Sequence, residues 1–328
     1  MPAPPRTSLR VVIVSYRSAG LVIDCLASLA PEVAALPDCK VVIVENASGD
    51  DSLARIGGAI AARGWGDWVE LVASPRNGGF AAGNNVALRR LLASPRPPDH
   101  VLLLNPDTLV HPGALGAMLA FIEARPEVGI VGCRLEFPDG TPQYSAFNFP
   151  TVLSEIERGF RMGPVTRALR AHMVAPPPRN EPHPADWVSG AAMLVRREVF
   201  DQVGLMDEGY FLYFEETDFC LQAHRAGFAC WYLPAARVVH LEGQSTGVVV
   251  TRKVSRPMPR YWFESRARYF RKNHGALYRS LADAAWALPH VAWKARRRLL
   301  HEHDPDPPGL FSDFVRFALE DTLGRARP

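Results

Sequence analysis

The chain has 328 residues, 48% of them apolar, enough for one large domain with an appendage or for two domains. No N-terminal stretch has the basic, apolar, small-residue layout of a secretory leader, and no uninterrupted apolar run is long enough to span a bilayer. The net charge of +3 hides an asymmetry: Thr251–Leu300 holds thirteen Lys/Arg against two acids, or +11, leaving −8 on the rest, so a phosphate-seeking segment is joined to an acidic body.

The first third alternates. Leu9–Val14 is a continuous apolar run that predicts a buried strand, and Leu21–Leu29 has helical periodicity. Lys40–Val44 predicts a second strand, Leu53–Ala62 a helix, Val69–Ala73 a third strand and Ala81–Leu92 a helix. Val101–Leu104 and Leu115–Ala124 complete the series. Such alternation predicts an α/β fold, a mostly parallel sheet with helices on both faces, whose ligands sit at the carboxyl ends of the strands. Farther on, Val128–Phe137 reads as a strand, Ala175–Pro184 as a proline-rich exposed loop, Asp186–Val195 as one strand and Glu198–Val203 as a short helix. Ala229–Leu233 and Arg237–His240 read as two short strands. After Gly247 come basic helices over Tyr261–Asn273, Leu277–Leu300 and Leu310–Leu323, with Pro289 expected to interrupt the second. The expected division is a body over 1–250 and a helical extension over 251–328. The five cysteines (25, 39, 133, 220 and 230) form no CxxC pair and read as reduced core residues of a cytosolic protein.

Four polar clusters follow the first four predicted strands: Ser15-Tyr16; Glu45-Asn46 with the run to Ser52; Asn77-Gly78-Gly79 through Asn84-Asn85; and Asn105-Pro106-Asp107. Each has a use. A carboxylate can accept hydrogen bonds from a ribose or a base, a tyrosine ring can pack on a base, and a glycine-rich turn lets amides approach a phosphate. An aspartate can hold a hard cation that neutralises a diphosphate. Each cluster alone also reads as an ordinary turn; four in succession on one rim do not. Asp50 and Asp51 read as helix-capping residues. The aromatic run Gly209–Phe214 then delivers Glu215, Glu216 and Asp218 to a helix start. Three acids in a first turn suit the helix dipole, and they also suit proton transfer, cation binding or sugar hydroxyls.

In this order, the motifs resemble glycosyltransferase family 2, over roughly residues 9–245 and most closely its bacterial rhamnosyltransferase-like branch. The resemblance implies a GT-A fold, a nucleotide-diphospho-sugar donor, a divalent cation (Mg²⁺ or Mn²⁺) and inverting transfer of a sugar, rhamnose among the candidates, to a glycan or lipid-diphosphate-linked acceptor in cell-surface polysaccharide synthesis. It assigns Ser15, Tyr16 and Glu45 to the nucleoside, and Asn77, Gly78, Gly79 and Asn84 to a donor-contacting loop. Asn105 and Asp107 stand where many relatives carry Asp-x-Asp, so Asp107 becomes the metal ligand, joined by His240. Glu215 and Glu216 match the acidic pair whose second member is the general base, with Asp218 as rival. Trp187, Ser189, Gly190 and Tyr213 fall around the acceptor. Glu45, Asn105 and Glu216 depart from the commoner residues at their positions. His240 has a plainer reading as a hydrogen-bonded core histidine.

The basic helices have two readings: contact with a membrane surface, which would put the protein in the cytoplasm or on the inner face of the plasma membrane, or packing on an acidic body. No nucleic-acid recognition motif accompanies the basic segment, and no nucleic acid is expected as a partner. A non-catalytic sugar-nucleotide sensor or scaffold is the rival function.

Overall fold

The computed structural model describes residues 7–241 and 256–323. The run after His240 from Glu242 to Thr246, and the boundary expected at 250 and 251, lie outside them. In chain order the elements are β1 (Leu9–Ser15), α1 (Ala19–Ala35), β2 (Cys39–Glu45), α2 (Ser52–Ala62), β3 (Val69–Ala73), α3 (Gly79–Leu92), β4 (His100–Leu104), β5 (Thr108–Val110), α4 (Ala114–Glu123) and β6 (Val128–Glu136). There follow β7 (Ala146–Phe147), α5 (Val152–Phe160), α6 (Gly163–Ala168), β8 (His183–Pro184), β9 (Trp187–Val188), β10 (Ala192–Arg196), α7 (Arg197–Val203), α8 (Glu215–Arg225), β11 (Ala229–His240), α9 (Arg260–His274), α10 (Ala276–Leu299) and α11 (Leu310–Thr322).

Two compact units emerge. The first comprises 1–147, 177–211 and 215–247; the second comprises 148–176, 212–214 and 248–328. The second therefore takes in residues 148–176 as well as the C-terminal helices.

The first unit is built on a mixed sheet in the order β3-β2-β1-β4-β10-β6-β11-β5, with β8 also paired to β11. Strands β1 to β4 run parallel, and β6 runs parallel to β11, while β10 and β5 are antiparallel to their neighbours. The central strands are buried on both faces, as their unbroken Val/Ile/Leu runs require. Ser15 lies beside Glu45, and Glu45 beside Ala73, so the ends of β1, β2 and β3 share one rim. Ala192, where β10 begins, faces Leu104, where β4 ends, so the segment before β10 joins the same rim.

Three local expectations need correction. Asp186–Val195 is not one strand: β9 and β10 are separated by Ser189, Gly190 and Ala191, whose backbone leaves the ladder to bond elsewhere. The two short strands near the end of this unit are one, β11, carried past Pro234 by a register shift between Leu233 and Arg237. Pro289 does not interrupt α10. Gly159 of α5 lies so close that a Cβ there would be 2.6 Å from the Trp286 carbonyl and 2.9 Å from Pro289 Cβ. This tight packing outweighs the one backbone hydrogen bond that proline removes.

In the second unit, Phe263, Ala267, Trp286, Leu310, Phe314 and Phe317 form the apolar centre. Arg266, 2% exposed, bridges Glu155 at 2.8 Å and Asp283. Burial works against the charge on Glu155, but Arg158 and Arg266 beside it hold its carboxyl below the ordinary value.

Candidate active site

The first three strand ends are knitted by their own side chains. Ser15 is buried, its Oγ 3.1 Å from Ser18 Oγ. Tyr16 is half-buried under the Arg17 guanidinium. Glu45 accepts from the Ser48 amide through Oε1 at 2.9 Å, and Ser48 Oγ accepts from the Arg17 amide at 2.8 Å. Asn46 donates to Asn77 Oδ1 at 3.0 Å and to the Gly79 carbonyl at 3.1 Å, tying the second loop to the third. Asp50 accepts from the Ser52 amide at the start of α2, while Asp51 holds the N-cap position without a capping hydrogen bond, its carboxylate 3.7 Å from Arg55.

Gly79 has φ +84, and a Cβ there would sit 1.8 Å from the Phe211 carbonyl oxygen. Only glycine brings the backbone this close, and the Phe80 amide then donates to the same carbonyl at 3.0 Å. The glycine-rich loop is thereby moored to the segment that leads into α8. Asn85 strengthens the mooring through Met206 O and Glu208 Oε1. Asn84 is buried, donating to Phe80 O, with its Oδ1 unpartnered.

The acidic pair opens α8. Immediately before it, Tyr213 and Phe214 sit at φ 71 and 68, a left-handed turn that bulky aromatics rarely adopt. Glu215 is 3% exposed and Glu216 half-buried, and each has one buried carboxylate oxygen, Oε2, without a partner. Burial pushes the Glu215 carboxyl well above its ordinary value, and the adjoining Glu216 charge pushes further. Burial also raises Glu216, against amide hydrogen bonds from its own residue, Gly190 and Thr217. A Cβ on Gly190 would come within 3.3 Å of the Phe80 ring and 3.6 Å of Glu216 Cβ, so a side chain here would press on Phe80 and touch the stem of Glu216. Asp218 is buried, its Oδ1 accepting from Gln222 at 3.3 Å. Two residues along a helix turn through about 200°, so Glu216 and Asp218 face different ways.

After β4, the Asn105 amide donates to the Ala191 carbonyl at 2.9 Å, joining this loop to the Ser189–Ala191 break. Asp107 is 4% exposed, with Oδ1 unpartnered. His240 closes β11 opposite Thr108 and puts Nε2 3.5 Å from that oxygen. The separation is long for a hydrogen bond and close to that of two ligands each about 2.1 Å from one ion. Gln143 decides what His240 offers. Its amide nitrogen donates to the His240 carbonyl at 2.8 Å, so its Oε1 is the end facing His240 Nδ1 at 3.1 Å. Nδ1 must then carry a proton, which leaves Nε2, the nitrogen facing Asp107, as the end that could ligate a cation. A carboxylate oxygen and an imidazole nitrogen at this spacing fit a divalent cation that takes its other ligands from elsewhere. No group of three or more His, Cys, Asp or Glu suited to a metal occurs among the described residues.

Of the acceptor candidates, Trp187 stacks on Phe147 at 4.1 Å, and Ser189 donates its amide to the Ser145 carbonyl. Tyr213 belongs to the second unit, its ring 6.1 Å from that of Tyr261. Sequence reasoning missed Gln143, Asn46 and Phe80. Asn46 stood inside a recognised cluster, but nothing near Gln143 signals its role. Only the bond from its amide to Leu135 O carries it to the rim.

Comparisons with known proteins identify the family and the fold. The family described as Glycosyltransferase like family 2 matches residues 4–258. The chain is 29% identical over 244 residues to an N-acetylglucosaminyl-diphospho-decaprenol L-rhamnosyltransferase of Mycobacterium tuberculosis, covering 70% of this chain and 73% of that one. It is 30% identical over 165 residues to the rhamnosyltransferase WbbL of Escherichia coli, covering 49% and 60%. Among solved structures, the mannosyltransferase PcManGT from Pyrobaculum calidifontis, in complex with GDP-Man and Mn²⁺, superposes with a TM-score of 0.57 at 16% identity, covering 99% of this chain and 82% of that one. The chain therefore belongs to glycosyltransferase family 2 and is a glycosyltransferase with a GT-A fold.

Proposed function

We propose that this enzyme transfers a sugar of the rhamnose class, with inversion, from a nucleoside diphosphate to a hydroxyl of a lipid-diphosphate-linked or glycan acceptor in cell-surface polysaccharide synthesis. The sugar and acceptor are suggested by the mycobacterial relative's name, and the nucleotide-sugar donor and cation by the ligands of the mannosyltransferase. The observation that carries the reading is the set of buried carboxylate oxygens without partners: Asp107 Oδ1 in the loop after β4, and Glu215 Oε2 and Glu216 Oε2 at the start of α8. Such atoms cost stability unless a ligand uses them.

In this reading Glu45 commits one carboxylate oxygen to Ser48 and turns the other to the nucleoside, and Tyr16 packs on the base. Asn77, Gly78, Gly79, Asn84 and Asn105 line the donor. Asp107 and His240 hold the cation, which when bound neutralises the departing diphosphate. Glu216 is the general base. It takes the proton of the acceptor hydroxyl as that oxygen forms the bond to the anomeric carbon. The bond from that carbon to the diphosphate oxygen breaks, and the nucleoside diphosphate leaves with the electron pair. A carboxyl raised above its ordinary value is the stronger base for this step. Glu215 is the buried acid beside Glu216, Asp218 holds the helix start through Gln222, and Trp187, Ser189 and Gly190 border the acceptor.

Catalysis is assigned to 1–250. The extension over 251–328 is assigned to a membrane surface, with the enzyme on its cytoplasmic side. Among the described residues no helix is long and apolar enough to cross a membrane.

Calorimetric titration with nucleoside diphosphates and their sugars, with and without Mn²⁺ or Mg²⁺, tests the reading. One nucleotide should bind more tightly with metal, and Asp107→Ala should remove that gain. No binding of any nucleotide to the folded protein would refute it.

A further inference from the structure

Phe80 is held where the glycine-rich loop meets the acidic pair. Its backbone is fixed on both sides: the amide donates to Phe211 O at 3.0 Å, and the carbonyl accepts from Asn84 Nδ2 at 3.0 Å. Asn46 holds the preceding carbonyl, that of Gly79, at 3.1 Å. The ring is half-buried and reaches Gly190, where a Cβ would lie 3.3 Å from both Cε1 and Cζ, tighter than ordinary contact. The absence of a side chain at Gly190 gives the ring its room. The Gly190 amide in turn donates to the Glu216 carboxylate, and the same Cβ would lie 3.6 Å from Glu216 Cβ. The aromatic ring and the general base are therefore packed on one residue.

The chemistry of the ring selects what it can touch. A hexose presents hydroxyls around most of its edge, and an apolar ring offers them neither donor nor acceptor. The C6 group is the exception. C5 and the anomeric carbon flank the ring oxygen, so C6 lies beside the reacting carbon, where Glu216 acts. In an ordinary hexose C6 carries a hydroxyl, which loses water against Phe80 and gains no hydrogen bond from it. In a 6-deoxyhexose C6 is a methyl, and its burial against the ring is favourable.

We infer that Phe80 is a specificity-determining residue of the donor site and selects a 6-deoxy sugar by packing on its C6 methyl. This rests on the transferase reading above, with Glu216 as base, and names the group that separates the rhamnose class from other hexoses. An apolar wall disfavours an added hydroxyl by about 10²-fold.

The test uses the full chain and calorimetry in the presence of Mn²⁺. The parent is titrated with the common nucleoside diphosphates, thymidine diphosphate first, and then with the L-rhamnosyl and L-mannosyl esters of the one that binds. These two sugars differ only at C6. The parent should prefer the L-rhamnosyl ester by about tenfold or more. Phe80→Leu, still apolar, should keep a preference of the same sign. Phe80→Gln, polar, should bring the two affinities together while leaving the Kd of the free nucleoside diphosphate unchanged. Phe80→Ser gives the same reading if Phe80→Gln folds poorly. Equal affinity of the parent for the two esters would overturn the inference. So would an undiminished preference in Phe80→Gln, or a loss shared equally by both esters and the free nucleotide. Each of these results leaves the transferase reading standing, whereas no binding of any nucleoside diphosphate would refute that reading and this inference with it.

Discussion

Replacing Gln143 by leucine should weaken the proposed metal site without touching either proposed ligand. The side chain makes two bonds to one residue: its amide donates to the His240 carbonyl at 2.8 Å and its Oε1 accepts from Nδ1 at 3.1 Å. Gln143 is 3% exposed, so water does not readily take over either bond. Losing two neutral hydrogen bonds costs stability of about 2 kcal/mol. The larger effect is on orientation, because the imidazole is then free to turn or to carry its proton on Nε2, the nitrogen facing Asp107. Removing an outer partner of a ligating histidine lowers metal affinity by about 10- to 100-fold, equivalent to about 1.4–2.8 kcal/mol. Mn²⁺ titration in the presence of nucleoside diphosphate, followed by paramagnetic resonance of the free ion, reads this directly. Nitrogen NMR of labelled histidine, with His240→Asn to assign the signal, should show a protonated Nδ1 in the parent and a mixture in Gln143→Leu. Gln143→Glu keeps an acceptor for Nδ1 and should recover part of the affinity. Unchanged Mn²⁺ affinity in Gln143→Leu, under conditions where Asp107→Ala abolishes binding, would refute the reasoning.

The remaining predictions concern the base, the loop and the second unit. Glu216→Gln should slow transfer by about 10²- to 10⁴-fold while leaving donor affinity unchanged in the same calorimetric titration; a fast variant would exclude Glu216 as the base. Because burial raises the acidic pair, kcat/KM should climb with pH along a limb set above the ordinary carboxylate range, seen in a pH–rate profile. The sign for stability is opposite: a raised carboxyl favours the fold fully below its ordinary value of 4.5 and loses that contribution as pH rises through its folded value. Glu215→Gln should therefore stabilise the protein at neutral pH and not near pH 4.5, as read by urea unfolding at both. Gly79→Ala places a Cβ 1.8 Å from Phe211 O and forces that loop apart. It should cost about 2 kcal/mol or more in urea unfolding and raise the donor Kd. Arg266→Met removes the cation that Glu155 and Asp283 share, leaving them Arg158 and Arg279, and should destabilise the chain by about 1.5–3 kcal/mol, measured by the same unfolding.

Much of the first unit is legible along the chain because its signals are local. Unbroken runs such as Val11–Val14 and Val41–Val44 can only be buried strands, and their alternation with helices dictates parallel pairing. With the pairing come the strand ends, and so the rim where Ser15, Glu45, Asn77 and Asp107 lie. The antiparallel strands were harder to read. β5 has three residues, and its partner β11 lies more than a hundred positions away. The break at Ser189–Ala191 is invisible locally because its amides are satisfied by Ser145 and Glu216, remote in sequence. Pro289 breaks helices by propensity, yet here packing against Gly159 prevails.

The site divides in the same way. Residue types and their order determined which side chains are candidates, since acids, asparagines and glycines at strand ends carry their chemistry with them. Only the tertiary structure decided their states. Whether Glu216 is a solvated acid or a raised base depends on burial. Whether His240 is a core histidine or a cation ligand depends on the atom its other nitrogen faces, and Gln143 reaches that atom only through the pairing of distant strands. Composition showed that the C-terminal helices are basic. That Arg279 of α10 is buried while Leu277 and Leu288 are exposed goes with an ion pair, Arg279 with Asp283 at 2.8 Å, which no periodicity along the chain reveals.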